Sequence, residues 1–272
     1  MLIALTMVGV GYAIVPNGID IQTSINFNLF IICTLLIAAA GNTINDYFDV
    51  RADLKNKPDQ VVIGKKLKKR WAIILHWGFN TLAFGISIFL SIHYQTWFYM
   101  ALHLFTSGLL WLYSVQLKKV FLWSNVSIAA LTALVPLSSM LFFRFVPIEF
   151  AHTELVVLFT IFAFILNLIR EIVKDIQDVE GDKLLFVRSL PIVLGKKVTF
   201  RWVQILSFML LIPYLLGMYL KVLADNYLLV YITSTAVLVG ICAGLIASLR
   251  IQLSSLLLKI SMLIGISSFF FL

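Results

Sequence analysis

The chain has 272 residues, 61% of them hydrophobic and 12% charged, with a mean hydropathy of +1.00 and a formal net charge of +8. A soluble domain carries about 25% charged residues, so this composition excludes an ordinary water-soluble globule and points to lipid as the solvent. The two cysteines, Cys33 and Cys242, lie in apolar runs, which excludes a disulfide framework or thiolate metal centre and predicts packing roles for both.

Nine apolar runs follow one another, at roughly 1–15, 27–45, 71–92, 96–113, 120–143, 153–170, 202–220, 226–248 and 255–272, most of them near the ~20 residues that cross a hydrocarbon core. Backbone groups in lipid must find partners within the protein, and runs this long and unalternating are predicted to be helices. The first run opens at Met1 with no basic residue before it and no small-residue cleavage site. It therefore reads as a first span lacking its opening turn, not as a signal peptide. With no composition shift or linker, residues 1–272 are expected to form one all-α domain, an integral membrane bundle of nine transmembrane helices.

The segments between the runs alternate in charge. Arg51, Lys55, Lys57, Lys65, Lys66, Lys68, Lys69 and Arg70 follow the second run, and Lys118 and Lys119 follow the fourth. Arg170, Lys174, Lys183, Arg188, Lys196, Lys197 and Arg201 follow the sixth, and Arg250 and Lys259 flank the eighth connection. The other side of the membrane receives only Arg144 and Lys221, a split of 19 against 2. The positive-inside rule makes the rich side cytoplasmic, with the N-terminus inside and the C-terminus outside. The same bias accounts for the net charge without a nucleic-acid partner.

Nine of the thirteen acidic residues fall within 46–59 and 171–182. In the first stretch Asp46, Asp49 and Asp53 recur at i, i+3 and i+7, and in the second Asp175, Asp178 and Asp182 repeat that spacing. On a helix it places three carboxylates on one face, where they repel one another unless a cation compensates. Hard oxygen ligands suit Mg2+, which takes one or two carboxylates and completes its shell with water and phosphate oxygens. Two such faces would hold a diphosphate between bridging ions, with nearby Lys and Arg neutralising the remaining charge. The stretches also read as two pseudo-repeated, aspartate-rich cytoplasmic loops, since Asp46 and Asp175 are 129 residues apart and Gly64-Lys65-Lys66 and Gly195-Lys196-Lys197 are 131 apart.

Other readings are weaker on the same residues. A membrane transporter would carry its ionisable groups near the bilayer midplane instead of at helix ends. Solvated loops with ordinary ion pairs do not require a repeated triplet. His76, His93, His103 and His152 show no ligand spacing for a histidine metal site.

Asn45-Asp46-x-x-Asp49-x-x-x-Asp53 and Asp175-x-x-Asp178-x-x-x-Asp182 resemble the two motifs of the UbiA superfamily of intramembrane prenyltransferases. The resemblance extends over essentially the whole chain and includes the Tyr113-Ser114…Lys118-Lys119 segment. Arg170-Glu171-x-x-Lys174-Asp175 with Asp178-x-Glu180-Gly181-Asp182, and the run Lys57-Pro58-Asp59, are most similar to the geranylgeranylglyceryl-phosphate geranylgeranyltransferase branch.

The resemblance implies Mg2+-dependent transfer of a prenyl group, geranylgeranyl in that branch, from an isoprenoid diphosphate to a lipid acceptor at the cytoplasmic face of the cell membrane. The alternative within the superfamily is an aromatic acceptor of quinone biosynthesis, such as 4-hydroxybenzoate. It further implies metal ligation by Asp46, Asp49, Asp53, Asp175, Asp178 and Asp182, with Asp46, Asp49, Asp175 and Asp178 central to catalysis. Asn45, Lys57, Tyr113, Lys118, Lys119, Arg170 and Lys174 become candidates for substrate binding. Members of the superfamily carry an Arg and an Asn near the start of the first helix, the Asn forming part of the substrate cavity, and neither has a counterpart in the first run here.

Overall fold

The computed structural model describes residues 1–15, 18–146, 151–223 and 226–271, and among these residues it contains helices and no strand. The helices are α1 (Leu2–Ile14), α2 (Ile21–Asn56), α3 (Lys69–His93), α4 (Phe98–Val115), α5 (Trp123–Phe143), α6 (Thr153–Leu184), α7 (Leu190–Val193), α8 (Lys196–Met209), α9 (Leu211–Tyr219), α10 (Tyr227–Ile246) and α11 (Ile251–Ser267). Among the described residues, eight helical stretches are long and apolar enough to cross a bilayer, with α8 and α9 together making one of them. The shorter apolar α1 precedes them, so each predicted run meets a helix.

Two helices run well past the apolar stretch that predicted them. The run at 27–45 is the middle of α2, which continues through the first acidic stretch to Asn56. The run at 153–170 is the first part of α6, which continues through the second to Leu184. The acidic stretches expected as loops are therefore helical ends, because hydropathy reports where lipid stops and not where helical hydrogen bonding stops. The start of α2 is set by Asp20, whose carboxylate accepts from the Thr23 backbone N–H at 3.0 Å, a capping bond that satisfies one otherwise unpaired donor. The predicted run at 202–220 is broken at Leu210, between α8 and α9. Pro213 lacks the N–H that would reach Met209, and its ring crowds that carbonyl.

The chain divides into two compact units, each discontinuous in sequence. The first comprises residues 1–19, 128–177 and 193–272. Here the Ser261 hydroxyl of α11 donates to the Ala236 carbonyl of α10 at 2.7 Å, and Phe159 meets Phe269 edge-on with ring centroids 4.7 Å apart. An apolar cavity of about 50 Å³ lies among Leu158, Phe159, Phe162, Tyr214, Val237 and Gly265. A cavity of ~150 Å³ holds one benzene, so this one is too small for an isoprenoid tail.

The second unit comprises residues 20–127 and 178–192. A polar seam joins α2, α3 and α4 inside an otherwise apolar contact. The Ala40 carbonyl lies 2.9 Å from His76 Nδ1, Asn80 donates to the His76 carbonyl at 3.0 Å, and Ser107 donates to Asn80 Oδ1 at 2.6 Å. Cys33 Sγ lies 3.3 Å from the Ser87 hydroxyl in the same unit, in keeping with a packing role, whereas Cys242 on α10 is exposed. Buried polar groups in a membrane protein need such partners, and each pairing fixes the rotation of one helix against the next.

Candidate active site

Because α2 continues as a regular helix, Asp46, Asp49 and Asp53 share one of its faces. Asp46 is exposed, Asp53 is half-buried and Asp49 is only 5% exposed. A carboxylate that deep requires partners. Asn45, one turn earlier, donates from Nδ2 to Asp49 Oδ2 at 2.8 Å, and the Lys118 ammonium forms an ion pair with the same oxygen. Lys118 is delivered by a 3₁₀ turn, Leu117–Lys119, that follows α4. The amide oxygen of Asn45, Oδ1, is buried without a hydrogen-bond partner, an open acceptor beside the carboxylate.

The second triplet lies in the last ten residues of α6. Asp175 and Asp178 are half-buried and Asp182 is 6% exposed. The Asp178 carboxylate pairs with the Lys57 ammonium at 3.1 Å. The preceding residue, Asn56, makes the closest connection between the two acidic segments. Its amide donates to the Asp178 carbonyl at 3.1 Å, and its carbonyl oxygen accepts from the Gly181 N–H at 2.9 Å. Gly181 is what permits this approach, since a Cβ there would lie 2.7 Å from Asn56 Cγ and 2.8 Å from the Ala52 carbonyl oxygen. The ends of α2 and α6 are thus joined within the second unit by a side-chain amide and an ion pair.

The structure therefore brings Asn45, Asp49 and Lys118 together at one point, and Lys57 and Asp178 together at another. Arg170 pairs with its neighbour Glu171 at 2.7 Å while its Nε is buried without a partner, and Tyr113 is buried at the end of α4. Lys119 and Lys174 are exposed. Asn56 was not singled out from the sequence, although it directly precedes the Lys57-Pro58-Asp59 run, and Gly181 entered only through the Glu180-Gly181-Asp182 segment, with no packing role attached. The two Gly-Lys-Lys segments share a positive φ at glycine, +89° at Gly64 and +78° at Gly195, but Lys65 and Lys66 lie in a turn whereas Lys196 and Lys197 open α8. Glycine tolerates that left-handed region at no steric penalty.

Among the described residues no three His, Cys, Asp or Glu side chains converge as a metal-binding group. The donor set still suits a hard cation that takes few protein ligands. Carboxylate oxygens recur at one-turn intervals, one more amide oxygen is open at Asn45, and Mg2+ ordinarily fills its shell with water and phosphate oxygens. The clustering of the carboxylates towards the ends of α2 and α6 also differs from the mid-span pattern of a transporter.

Comparison with known proteins gives a consistent result. The family model described as the UbiA prenyltransferase family matches residues 2–265. The chain is 33% identical over 257 residues to the digeranylgeranylglyceryl phosphate synthase of Methanosarcina mazei, covering 93% of this chain and 84% of that one. It is 33% identical over 191 residues to the enzyme of that name from Thermococcus gammatolerans, covering 70% of this chain but only 64% of the relative's length. A solved structure bearing on digeranylgeranylglyceryl phosphate synthase in membranes matches with a TM-score of 0.71 at 26% identity, covering 98% and 91% of the two chains. A UbiA homologue from Archaeoglobus fulgidus, bound to GPP and Mg2+, matches in fold with a TM-score of 0.65 at 17% identity, covering 99% and 93%.

Proposed function

The chain belongs to the UbiA prenyltransferase family, an all-α family of multi-pass membrane proteins, and from that premise we propose that it transfers a geranylgeranyl group from its diphosphate to the free hydroxyl of geranylgeranylglyceryl phosphate. The observation that carries this reading is the union of the two acidic helix ends through Asn56 and the Lys57–Asp178 pair. The names of the relatives support the lipid acceptor, and the GPP and Mg2+ bound by the Archaeoglobus fulgidus homologue support the donor class and the metal.

Asp46, Asp49 and Asp53 on α2, with Asp175, Asp178 and Asp182 on α6, would hold Mg2+ there. The bound ion would neutralise charge growing on the departing diphosphate. Lys118 and Lys57 place two further cations at the same carboxylates, within a short side-chain movement of a diphosphate seated beside them. Asn45 Oδ1 would orient a water or a phosphate group. The buried Tyr113 ring, at the end of α4, would face an allyl cation, whose charge an aromatic face stabilises by about 1–2 kcal/mol.

In the reaction the allylic C–O bond breaks with its electron pair leaving on the diphosphate. An ether C–O bond then forms to the acceptor hydroxyl, whose proton passes to a diphosphate oxygen or a cluster aspartate. The 19-to-2 distribution of basic residues supports a cytoplasmic side for this chemistry in our reading.

The test is incubation of the purified protein with labelled geranylgeranyl diphosphate, geranylgeranylglyceryl phosphate and 4-hydroxybenzoate in competition. A labelled ether lipid, lost on chelation and restored by Mg2+, is the expected product. A labelled aromatic product would replace the acceptor, and no transfer to either would overturn the reaction class.

A further inference from the structure

Each acidic triplet keeps its middle aspartate on a lysine that comes from outside its own helix. Asp49 on α2 is held by Lys118 from the turn after α4, and Asp178 on α6 is held by Lys57 from just beyond α2. The two pairs differ in depth. The side chains of Lys118 and Asp49 are 18% and 7% exposed, whereas those of Lys57 and Asp178 are 36% and 15% exposed.

We infer that Lys118 and Lys57 are exchangeable internal counter-ions, which occupy the metal-binding carboxylates in the donor-free protein and move to diphosphate oxygens when the donor arrives. The inference rests on the magnesium-dependent reading above and adds an order to it. A divalent ion approaching Asp49 alone must displace an ammonium from a buried oxygen and leave that ammonium without its anion. Stranding one partner of a buried pair is strongly unfavourable. A diphosphate removes the obstacle, since it brings several negative charges and acceptor oxygens to the same place, so the displaced lysine gains a charge-assisted bond as it loses one. Metal and donor therefore bind with positive coupling, and by linkage each tightens the other by the same factor. Lys118 contributes more of the coupling than Lys57 because its pair is the less solvated.

The experiment is Mn2+ titration of the full chain in nanodiscs, followed by EPR, with and without geranylgeranyl S-thiolodiphosphate. A protein-free blank removes the complex that the ion forms with the analogue in solution. Wild-type protein should bind Mn2+ about tenfold more tightly when the analogue is present. Lys118→Met should bind Mn2+ alone about tenfold more tightly than wild type and lose most of the coupling, Lys57→Met should change by only about threefold, and Lys118→Arg should keep wild-type coupling. Lys68→Met, an exposed lysine outside the site, should change nothing.

Equal Mn2+ affinity with and without the analogue in wild type overturns the inference, as does Lys118→Met binding Mn2+ alone no better than wild type. In the second case, analogue-dependent Mn2+ binding by wild type would leave the magnesium-dependent reading standing. No Mn2+ binding by any form, even with the analogue, would remove both.

Discussion

At the end of α2 the middle aspartate is the deep one: Asp49 is 5% exposed and meets both Asn45 and Lys118. At the end of α6 the deep one is the last, Asp182 at 6%, while the middle aspartate Asp178 meets the more solvated Lys57. Identical spacing along the helix has thus been given two different surroundings. The difference arises because α2 is flanked by α4 and the turn that follows it, whereas the end of α6 is met by the residues just past α2. Equivalence in sequence does not carry equivalence in desolvation, and desolvation sets how much each charge matters.

Substitutions at matched positions should expose that asymmetry. Asp49→Asn should lower prenyl transfer by about 10³-fold and Asp178→Asn by about 10²-fold, both variants eluting as folded protein from size-exclusion chromatography in detergent. Equal losses would mean that the two surroundings are functionally the same. Gly181→Ala should follow, because its Cβ would press on the Ala52 backbone oxygen, which has no flexible end to yield. Overpacking of that kind destabilises by about 1–3 kcal/mol, visible as a lower thermal midpoint together with reduced transfer. Asn56→Ala removes two hydrogen bonds between α2 and α6 and should cost about 1–3 kcal/mol in thermal unfolding, with the donor KM rising more than kcat falls. The smallest effect belongs to Lys119→Ala. Its side chain is exposed beside the buried Lys118 pair, so donor KM should change less than about twofold. A tenfold rise would return Lys119 to the diphosphate site.

Much of the fold was legible because the bilayer imposes a length on every apolar run and a charge bias on every connection. The predicted run at 71–92 lies inside α3, Lys69–His93, and that at 226–248 nearly coincides with α10, Tyr227–Ile246. The continuation of α2 to Asn56 was not legible, since a helix in water needs no apolar signal to persist. The break at Leu210 had a visible cause in Pro213, but the long apolar run around it concealed the interruption.

The candidate site divides in the same manner. The aspartate triplets, Asn45 and the basic residues near them were readable because an i, i+3, i+7 pattern is local, and so is helical geometry. The pairing of Asn56 with Gly181 was hidden because it joins residues 125 apart in the chain.

The sequence by itself determined that this chain dwells in lipid, which connections carry positive charge, and which carboxylates share a helical face. Each of these follows from hydrophobicity, charge or helical period within a few residues. Only the tertiary structure decided that Asp49 and not Asp46 is buried, that Lys118 and Lys57 rest on carboxylates, and that a glycine and an amide join the two acidic ends. Those facts depend on which distant segments pack together, and packing selects partners by shape and desolvation that no local spacing records.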